Sequence, residues 1–433
     1  MNLVYLHTHD MGRYNAIYGH AIPTPRMLET AQECVVFRNA HCACPTCSPS
    51  RAALLTGRMP HNNGMMGLAH RGFSLSQPQQ HLSHFLYAHG YETALCGVQH
   101  ETHDISTLGY GKVLAQNVHT DAERAQQAVD FLSAPDRANH PFFLSVGFGQ
   151  SHRAYLPHTD INPDFVAMPA CLPDTARTRA DMADYMTSVR EVDRCMGMVV
   201  DALKASGLWE NTLLLLTTDH GIAFPHMKCN LYDTGTGVTL AIKPAGNWCT
   251  PRAVDALVSQ IDVYPTLCDL MGLEKPGWLQ GTSLVPVLMG EKEEVRAELA
   301  TEVTYHAAYE PMRALRTRRY KYIRRFDAEF SGVVLPNVDA GFSKTELTEG
   351  GWGEESRPCE ELYDLLLDPS ERNNLAGQTA HEPVRREMAE RLRVWMETTD
   401  DPLLSAPRGR VPAPAGARVN LRGDVDPNET VFE

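Results

Sequence analysis

The chain has 433 residues, of which 43% are hydrophobic and 21% are charged, a composition typical of a soluble globular protein with a large core. Its net charge of −14 argues against nucleic acids, anionic membranes and long polyanionic polymers as partners. No apolar run is long enough to span a bilayer, so we expect no membrane partner.

The cysteines and the N-terminal residues indicate the compartment. The 11 cysteines are odd in number and scattered along the chain, which favours reduced thiols over a disulfide framework. Residues 1–6 pass directly into an apolar segment, without the basic region and cleavage site of a signal peptide. We therefore expect a cytoplasmic protein.

Hydrophobic patterning predicts alternating strands and helices over the first 300 residues. Residues 2–8 have the continuous apolar character of a buried parallel strand. The further predicted elements are, in chain order, a helix after Pro25, a strand at 35–37, a helix from Ser48 to about Gly57, a helix at 79–89, a strand at 93–96, a helix at 122–132, a strand at 142–146, a helix at 176–206 and a strand at 213–216. This alternation is typical of an α/β domain whose mostly parallel sheet is flanked by helices.

The pattern changes after about residue 300. Residues 312–326 are predicted to form a hairpin of charged strands, and residues 381–397 a final helix. We interpret residues 1–300 as the main α/β domain and residues 301–404 as a smaller C-terminal α+β domain. Residues 405–433, rich in Pro, Gly and Ala, are predicted to form an extended tail.

Polar side chains collect where the predicted strands end. They are residues 7–10 after the first strand, His100, His152, Asp219 and His220. Because ligands of parallel sheets bind at the carboxyl ends of the strands, we expect these groups to form one site.

Residues 47–57, Cys-Ser-Pro-Ser-Arg-Ala-Ala-Leu-Leu-Thr-Gly, are the most informative segment of the chain. Ser48 is suited to cap a helix and Pro49 to its first turn. Cys47 would then lie where free N–H groups and the helix dipole favour a developing anion, and Arg51 would present a permanent cation to the same place. The alternatives are a buried structural cysteine and a zinc site formed by His41, Cys42, Cys44 and Cys47.

The segment 47–57 resembles the signature of the sulfatases. Other stretches match that family in the same order, between residue 2 and about residue 405: 37–40, 64–65, 218–222, 230–232, 311–313 and 361–364. The chain is therefore similar to the sulfatase family of the alkaline phosphatase superfamily, above all to the N-sulfoglucosamine sulfohydrolases (heparan N-sulfatases) and bacterial proteins like them. The resemblance implies an alkaline phosphatase-like fold, and it implies that a formylglycine-generating enzyme oxidises Cys47 to formylglycine.

The resemblance also implies one divalent metal ion, which is calcium in the family. Its ligands would be residue 47 together with His9, Asp10, Asp219 and His220. Asp10 and Asp219 match the family pattern, whereas His9 and His220 replace an aspartate and an asparagine. Calcium prefers oxygen ligands while imidazole suits manganese, iron or zinc, so the identity of the metal stays open. His9 is alternatively a proton donor to the leaving group.

Three more residues receive catalytic roles from the resemblance. Where the family has Gly-Lys-x-His, this chain has Gly97-Val98-Gln99-His100, so one anion-binding lysine is missing while His100 is retained. His152 matches the histidine that protonates the leaving group, and Lys228 matches the later basic residue that binds the sulfate. Each of the three is alternatively an ordinary surface side chain.

Residues 305–313, which open the smaller domain, resemble their counterpart in heparan N-sulfatases. His306 and Arg313 are the predicted substrate contacts, because aromatic and polar side chains recognise sugars and an arginine pairs with a carboxylate or sulfate. The alternative for Arg313 is a structural contact that joins the two domains.

The sequence thus predicts a formylglycine-dependent and metal-dependent sulfatase that hydrolyses a sulfate ester or sulfamate of a small sulfated sugar. The Asp-His pair at 219–220 also resembles phosphonate monoester and phosphodiester hydrolases of the same superfamily, which supply the alternative function. A non-enzymatic metal-binding protein is a more remote alternative. A homo-oligomer is compatible with the sequence.

Overall fold

The computed structural model describes residues 1–135, 137–246, 248–406, 410–420, 422 and 429–431. The strands are β1 (Asn2–Thr8), β2 (Val35–His41), β3 (Glu92–Gly97), β4 (Lys112–Leu114), β5 (Phe142–Phe148), β6 (Thr212–Thr218), β7 (Leu240–Lys243), β8 (Arg252–Ser259), β9 (Glu298–Tyr305), β10 (Tyr309–Thr317), β11 (Tyr320–Arg325), β12 (Glu360–Asp364), β13 (Arg418–Asn420) and β14 (Glu429–Val431). The α-helices are α1 (Pro25–Ala31), α2 (Cys47–Thr56), α3 (Pro60–Asn63), α4 (Leu82–Ala88), α5 (Asp121–Leu132), α6 (Ala176–Ala205), α7 (Asp233–Thr236), α8 (Val263–Met271), α9 (Val285–Leu288), α10 (Phe342–Glu349) and α11 (Glu382–Thr398).

The main sheet has the strand order β4-β3-β5-β1-β6-β7-β2-β8. Its neighbouring strands are parallel except at β7, which runs antiparallel to both β6 and β2. Alternate residues of β1 point to opposite faces of the sheet: Val4 and Leu6 pack with α1, α5 and α6, while Leu3 and Tyr5 pack with α2, α4 and α8. The predicted α/β class, a mostly parallel sheet flanked by helices, is confirmed.

Helix α2 is buried along its whole length and begins at Cys47 itself. The prediction that Ser48 caps this helix is wrong. Thr46 is the extended residue before the first turn, and the Ser48 hydroxyl instead accepts a hydrogen bond of 3.0 Å from the Ala69 N–H. Gly57 ends the helix in the left-handed conformation, with φ 66°, which glycine adopts without steric cost.

The second sheet is antiparallel and has the order β12-β11-β10-β9. The predicted hairpin at 312–326 is its centre, since Met312 of β10 pairs with Arg325 of β11. A shared core joins this sheet to the main domain: Ala52 of α2, Tyr305 of β9 and Leu392 of α11 belong to one buried cluster. Because the two units share this core, the boundaries at residues 300 and 404 stay an interpretation of the sequence.

The residues after 405 lie partly within the described part of the chain. Val411, Ala417 and Val419 are buried against the shared core. The Val411 carbonyl accepts a hydrogen bond of 2.7 Å from the Tyr305 hydroxyl, and the Val411 N–H donates one of 2.9 Å to the Tyr309 hydroxyl. The rest of the predicted extended tail, at 407–409, 421, 423–428 and 432–433, lies outside the described residues. All eleven cysteines are free thiols. Among the described residues, no helix combines the length and the apolar character needed to cross a bilayer.

Candidate active site

The register of the main sheet brings two predicted metal-binding pairs together. Thr8 at the end of β1 lies opposite Thr218 at the end of β6, so residues 9–10 and 219–220 leave the sheet side by side. The Asp10 N–H donates a hydrogen bond of 2.9 Å to Oδ1 of Asp219, and all four side chains are buried. Parallel neighbouring strands therefore produce the convergence that the sequence predicted.

Cys47, at the first turn of α2, completes this cluster. Its Sγ atom lies 3.2 Å from Nε2 of His220 and 3.8 Å from Oδ1 of Asp10. Nε2 of His220 is in turn 3.3 Å from Oδ1 of Asp10 and 3.6 Å from Oδ2 of Asp219. These donor atoms are close enough to surround a single ion.

The two histidines of the cluster present ring nitrogens to it. Nδ1 of His220 lies 2.9 Å from the Gly221 carbonyl, to which it can only donate, so Nε2 is the nitrogen that the neutral ring would offer to a cation. Nδ1 of His9 lies 3.4 Å from Oδ2 of Asp219, and this buried atom has no hydrogen-bond partner in the part of the chain that the structure describes. The donors of His9, Asp10, Cys47 and Asp219 all lie within 4.8 Å of one another. The residues present therefore fit a divalent cation.

Arg51 is fully buried beneath the cluster, and its guanidinium contacts other groups of the protein rather than solvent. Its Nη2 atom donates to Oδ2 of Asp219 and to the Thr8 carbonyl, each at 3.0 Å, and its Nη1 atom lies 2.6 Å from Nδ1 of His7. Although burial opposes it, the charges of His220 and Arg51 hold the pKa of Asp219 below its usual value. Arg51 thus orients a carboxylate of the cluster.

Lys228 lies between two carboxylates. Its Nζ atom donates to Oδ2 of Asp10 at 2.9 Å and lies 3.1 Å from Oδ2 of Asp339. These charges raise the pKa of Lys228 well above its ordinary value although the side chain is buried. The sequence analysis missed Asp339, because no recognisable motif surrounds it and it lies far from Lys228 in the chain.

His152 follows β5 and approaches the same carboxylate. Its Nδ1 atom donates to the Arg153 carbonyl at 2.6 Å, while Nε2 lies 3.8 Å from Oδ2 of Asp10 and 3.4 Å from Nζ of Lys228. The Asp10 carboxylate raises the pKa of His152 to about 10, against the opposing effects of Lys228 and burial. The imidazolium form at neutral pH suits a proton donor.

His100 lies at the rim of the cluster with an additional histidine that the sequence analysis missed. Its Nε2 atom is 2.9 Å from Nδ1 of His70, and its ring centroid is 5.6 Å from that of His9. Its φ of 59° is left-handed, which is uncommon for a residue with a Cβ atom. The donor atoms of His9, Cys47 and His100 lie within 4.8 Å of one another, so the ring of His100 reaches the cluster.

The two predicted substrate contacts have different environments. His306 is buried, and its pKa is lowered to about 3 by burial and by the positive charge of Lys228, which places a neutral ring near the site. Arg313 is fully buried elsewhere: its Nε and Nη2 atoms bind the two oxygens of Asp401 at 2.5 and 3.1 Å. This corrects the substrate-binding interpretation of Arg313, because its guanidinium has no exposed surface to offer a ligand. Its role is structural, but Asp401 belongs to the same smaller domain, so this pair does not join the two domains as the alternative expected.

The structure does not bring together the alternative zinc ligands. Both ring nitrogens of His41 have other partners, Thr236 at 3.0 Å and Asn39 at 3.2 Å. Cys42 and Cys44 belong to two different hydrophobic clusters. Only Cys47 of that motif faces a set of metal-binding side chains within the described residues.

Solved structures share this architecture. A protein crystallised in complex with its substrate D-glucosamine-2-N,6-O-disulfate has a TM-score of 0.73 and 19% identity, covering 92% of this chain and 98% of that chain. A phosphonate monoester hydrolase of Agrobacterium radiobacter has a TM-score of 0.69 and 20% identity, covering 92% and 96%. The chain therefore has the alkaline phosphatase-like fold of this class of hydrolases.

Sequence comparison identifies the family within that class. The sulfatase family matches residues 1–273, and the C-terminal region of N-sulphoglucosamine sulphohydrolase matches residues 224–333. The human N-sulphoglucosamine sulphohydrolase is 29% identical over 461 aligned residues, covering 92% of this chain and 90% of the human protein. The chain belongs to the sulfatase family and is a sulfuric ester hydrolase.

Proposed function

We propose that this sulfatase hydrolyses a sulfate ester or sulfamate on a small sulfated sugar, with residue 47 converted to formylglycine and one divalent cation beside it. The observation that carries the proposal is the position of Cys47. It opens a buried helix, 3.2 Å from His220 and within reach of Asp10, with Lys228 and His152 on the other side of the Asp10 carboxylate. A nucleophile, a set of metal ligands, a cation and a proton donor thus meet at one place.

Each residue of the site has a separate role in the proposed reaction. A hydrated aldehyde at position 47 has two hydroxyls, one to attack sulfur and a second whose later loss of a proton re-forms the aldehyde and expels sulfate. A divalent cation held by Asp10, Asp219, His220 and His9 would lower the pKa of the attacking hydroxyl. Lys228 would bind the sulfate oxygens, and His152 would protonate the departing oxygen or nitrogen.

The donor set supports manganese, iron or zinc rather than calcium. Calcium takes six to eight oxygen ligands in most protein sites. Here His220 turns Nε2 toward the cluster, and Nδ1 of His9 has no hydrogen-bond partner among the described residues. Imidazole nitrogen with carboxylate oxygen is the environment that first-row transition metals prefer.

The proposed substrate class depends on the C-terminal region. Residues 224–333 match the C-terminal region of a sulphohydrolase whose name gives N-sulphoglucosamine as its substrate. The alternative, a phosphonate monoester or phosphodiester, is favoured by the imidazole of His220 in place of an amide and by Val98 in place of the family's lysine. Residue 47 would be the nucleophile in both cases.

Two measurements test the proposal. Mass analysis of the peptide that contains residue 47, after expression with a formylglycine-generating enzyme, should show an aldehyde that reacts with a hydrazide. Turnover of a panel of aryl sulfate, glucosamine N-sulfate, phosphonate monoester and phosphodiester should be highest on a sulfated compound. An intact thiol in fully active enzyme would disprove the nucleophile, and a clear preference for phosphonate would transfer the function to the alternative.

A further inference from the structure

The unmodified cysteine is itself part of a metal-sized cluster. The three atoms Cys47 Sγ, His220 Nε2 and Asp10 Oδ1 form a triangle with edges of 3.2, 3.3 and 3.8 Å. Ligand atoms at about 2.0–2.3 Å from a tetrahedral zinc ion stand about 3.3–3.6 Å apart. The triangle therefore already has the size of one face of a zinc tetrahedron.

The neighbouring side chains supply the remaining donors that a metal ion would need. The His220 ring is fixed by its bond to the Gly221 carbonyl, which turns Nε2 toward the sulfur at 3.2 Å. Asp219 supplies a further carboxylate oxygen 3.6 Å from Nε2 of His220. The fully buried Asp10 carboxylate lies on the same side of the sulfur as His220, with Oδ1 3.8 Å from Sγ and 3.3 Å from Nε2. Together they form a sulfur, nitrogen and oxygen donor set, which is typical of zinc and cobalt.

We propose that, before conversion to formylglycine, the chain binds a zinc-class divalent cation through Cys47, His220, Asp10 and Asp219. As the sulfur–metal bond forms, the thiol releases its proton to solvent, so the bound ligand is the thiolate. Conversion of Cys47 then replaces a soft sulfur ligand with oxygen and moves the preference of the site toward harder ions. The consequence for catalysis rests on the proposed function, whereas binding by the thiol form does not.

Cobalt(II) provides a direct probe of this ligand set. The wild-type chain, expressed without a formylglycine-generating enzyme and stripped with a chelator, should bind one Co²⁺ and develop a thiolate-to-cobalt charge-transfer band in the near ultraviolet. Zn²⁺ should displace the cobalt and remove the band. Cys47→Ser should lose the band, while Cys359→Ser, which removes an exposed thiol, should retain it. His220→Asn should weaken Co²⁺ binding by more than about tenfold.

The outcomes separate this proposal from the proposed enzyme activity. A charge-transfer band that persists in folded Cys47→Ser protein, or cobalt bound by the wild-type thiol form without such a band, would overturn the sulfur ligand. Unchanged cobalt affinity in His220→Asn would overturn the ligand set. Circular dichroism and melting temperature establish that each variant is folded. Hydrolysis by the converted protein is measured in a separate sample. Failure of cobalt binding by the thiol form therefore does not bear on the enzyme activity, and absence of hydrolysis does not bear on cobalt binding.

Discussion

Asp339 lies 3.1 Å from the Lys228 ammonium, so a carboxylate from the loop before α10 enters the site formed by the main sheet. Lys228 therefore has two negative partners, Asp10 at 2.9 Å and Asp339. The two differ in exposure: Asp10 is fully buried, whereas the Asp339 side chain is 21% exposed. The second carboxylate lowers the positive charge that Lys228 offers to an anionic substrate.

Replacing Asp339 should strengthen the binding of anionic substrates. In Asp339→Asn the charge of Lys228 is balanced by one carboxylate fewer, and a partly exposed ion pair is worth about 1 kcal/mol. We expect KM for a sulfate ester to fall about fivefold with little change in kcat, and the fall to shrink at high salt. Steady-state kinetics at two ionic strengths measures this, with the exposed Asp164→Asn as control. A rise in KM would instead show that Asp339 binds the substrate.

Cys47 should be indispensable for hydrolysis. Cys47→Ala removes the proposed nucleophile, and the small side chain fits at the start of a buried helix without added volume. Activity should fall below about one per cent of the wild-type value, while Cys359→Ala keeps full activity. The comparison requires equal melting temperatures. Substantial turnover by folded Cys47→Ala protein would rule out covalent catalysis at this residue.

The role of His152 should depend on the leaving group. A proton donor matters when the leaving group is poor and little when it is good. His152→Ala should therefore reduce kcat/KM for a sugar sulfate by about 100-fold or more and for a nitrophenyl sulfate much less. The ratio of the two losses is the measured quantity. Equal losses on both substrates would assign His152 to binding and make His100 or His9 the better candidate for the acid.

The metal preference should follow residue 220. Elemental analysis of converted enzyme purified without chelators should find manganese, iron or zinc, and a chelator should abolish activity. His220→Asn restores the oxygen donor that the family has at this position. After metal removal, calcium should therefore restore a larger fraction of the activity in this variant than in the wild-type enzyme. Metal content and reconstitution assays measure both effects. Stoichiometric calcium in the wild-type enzyme would contradict the predicted role of the imidazole.

Arg313 should affect stability rather than substrate binding. Its bidentate pair with Asp401 is fully buried, so removing one partner leaves an uncompensated charge. Arg313→Ala should lower the free energy of unfolding by about 3–5 kcal/mol, measured by urea denaturation, while KM of the folded fraction is unchanged. Arg386→Ala, whose side chain is 74% exposed, should be nearly neutral. A raised KM with unchanged stability would instead support a role for Arg313 in substrate binding.

Most of the main sheet was predictable because its signals are local. The continuous apolar character of residues 2–8 and 213–216 identifies β1 and β6, and the polar residues directly after them identify the ends of those strands. Three strands of the main sheet, β4, β7 and β8, were not predicted. For β4 and β7 the reason is their length. Four or fewer residues give no periodicity that distinguishes a strand from a loop.

The candidate site was predictable where residues follow strands in family order. His9, Asp10, Asp219 and His220 converge because β1 and β6 are parallel neighbours, and that adjacency follows from the fold class. The capping role of Ser48 was predicted wrongly, since the choice between Thr46 and Ser48 depends on the backbone angles at the turn and on the Ala69 N–H.

By itself, the sequence determined the family, the order of the main elements and the identity of the proposed nucleophile, because these are carried by contiguous motifs and short-range periodicity. Only the tertiary structure decided that Asp339 meets Lys228 and that Arg313 meets Asp401, a pair separated by 88 positions. The first contact depends on how the loop before α10 packs against the main domain, and the second on how the segment after α11 packs against β10. Packing is a collective result of many buried side chains, so no local pattern around any one of these residues specifies its partner.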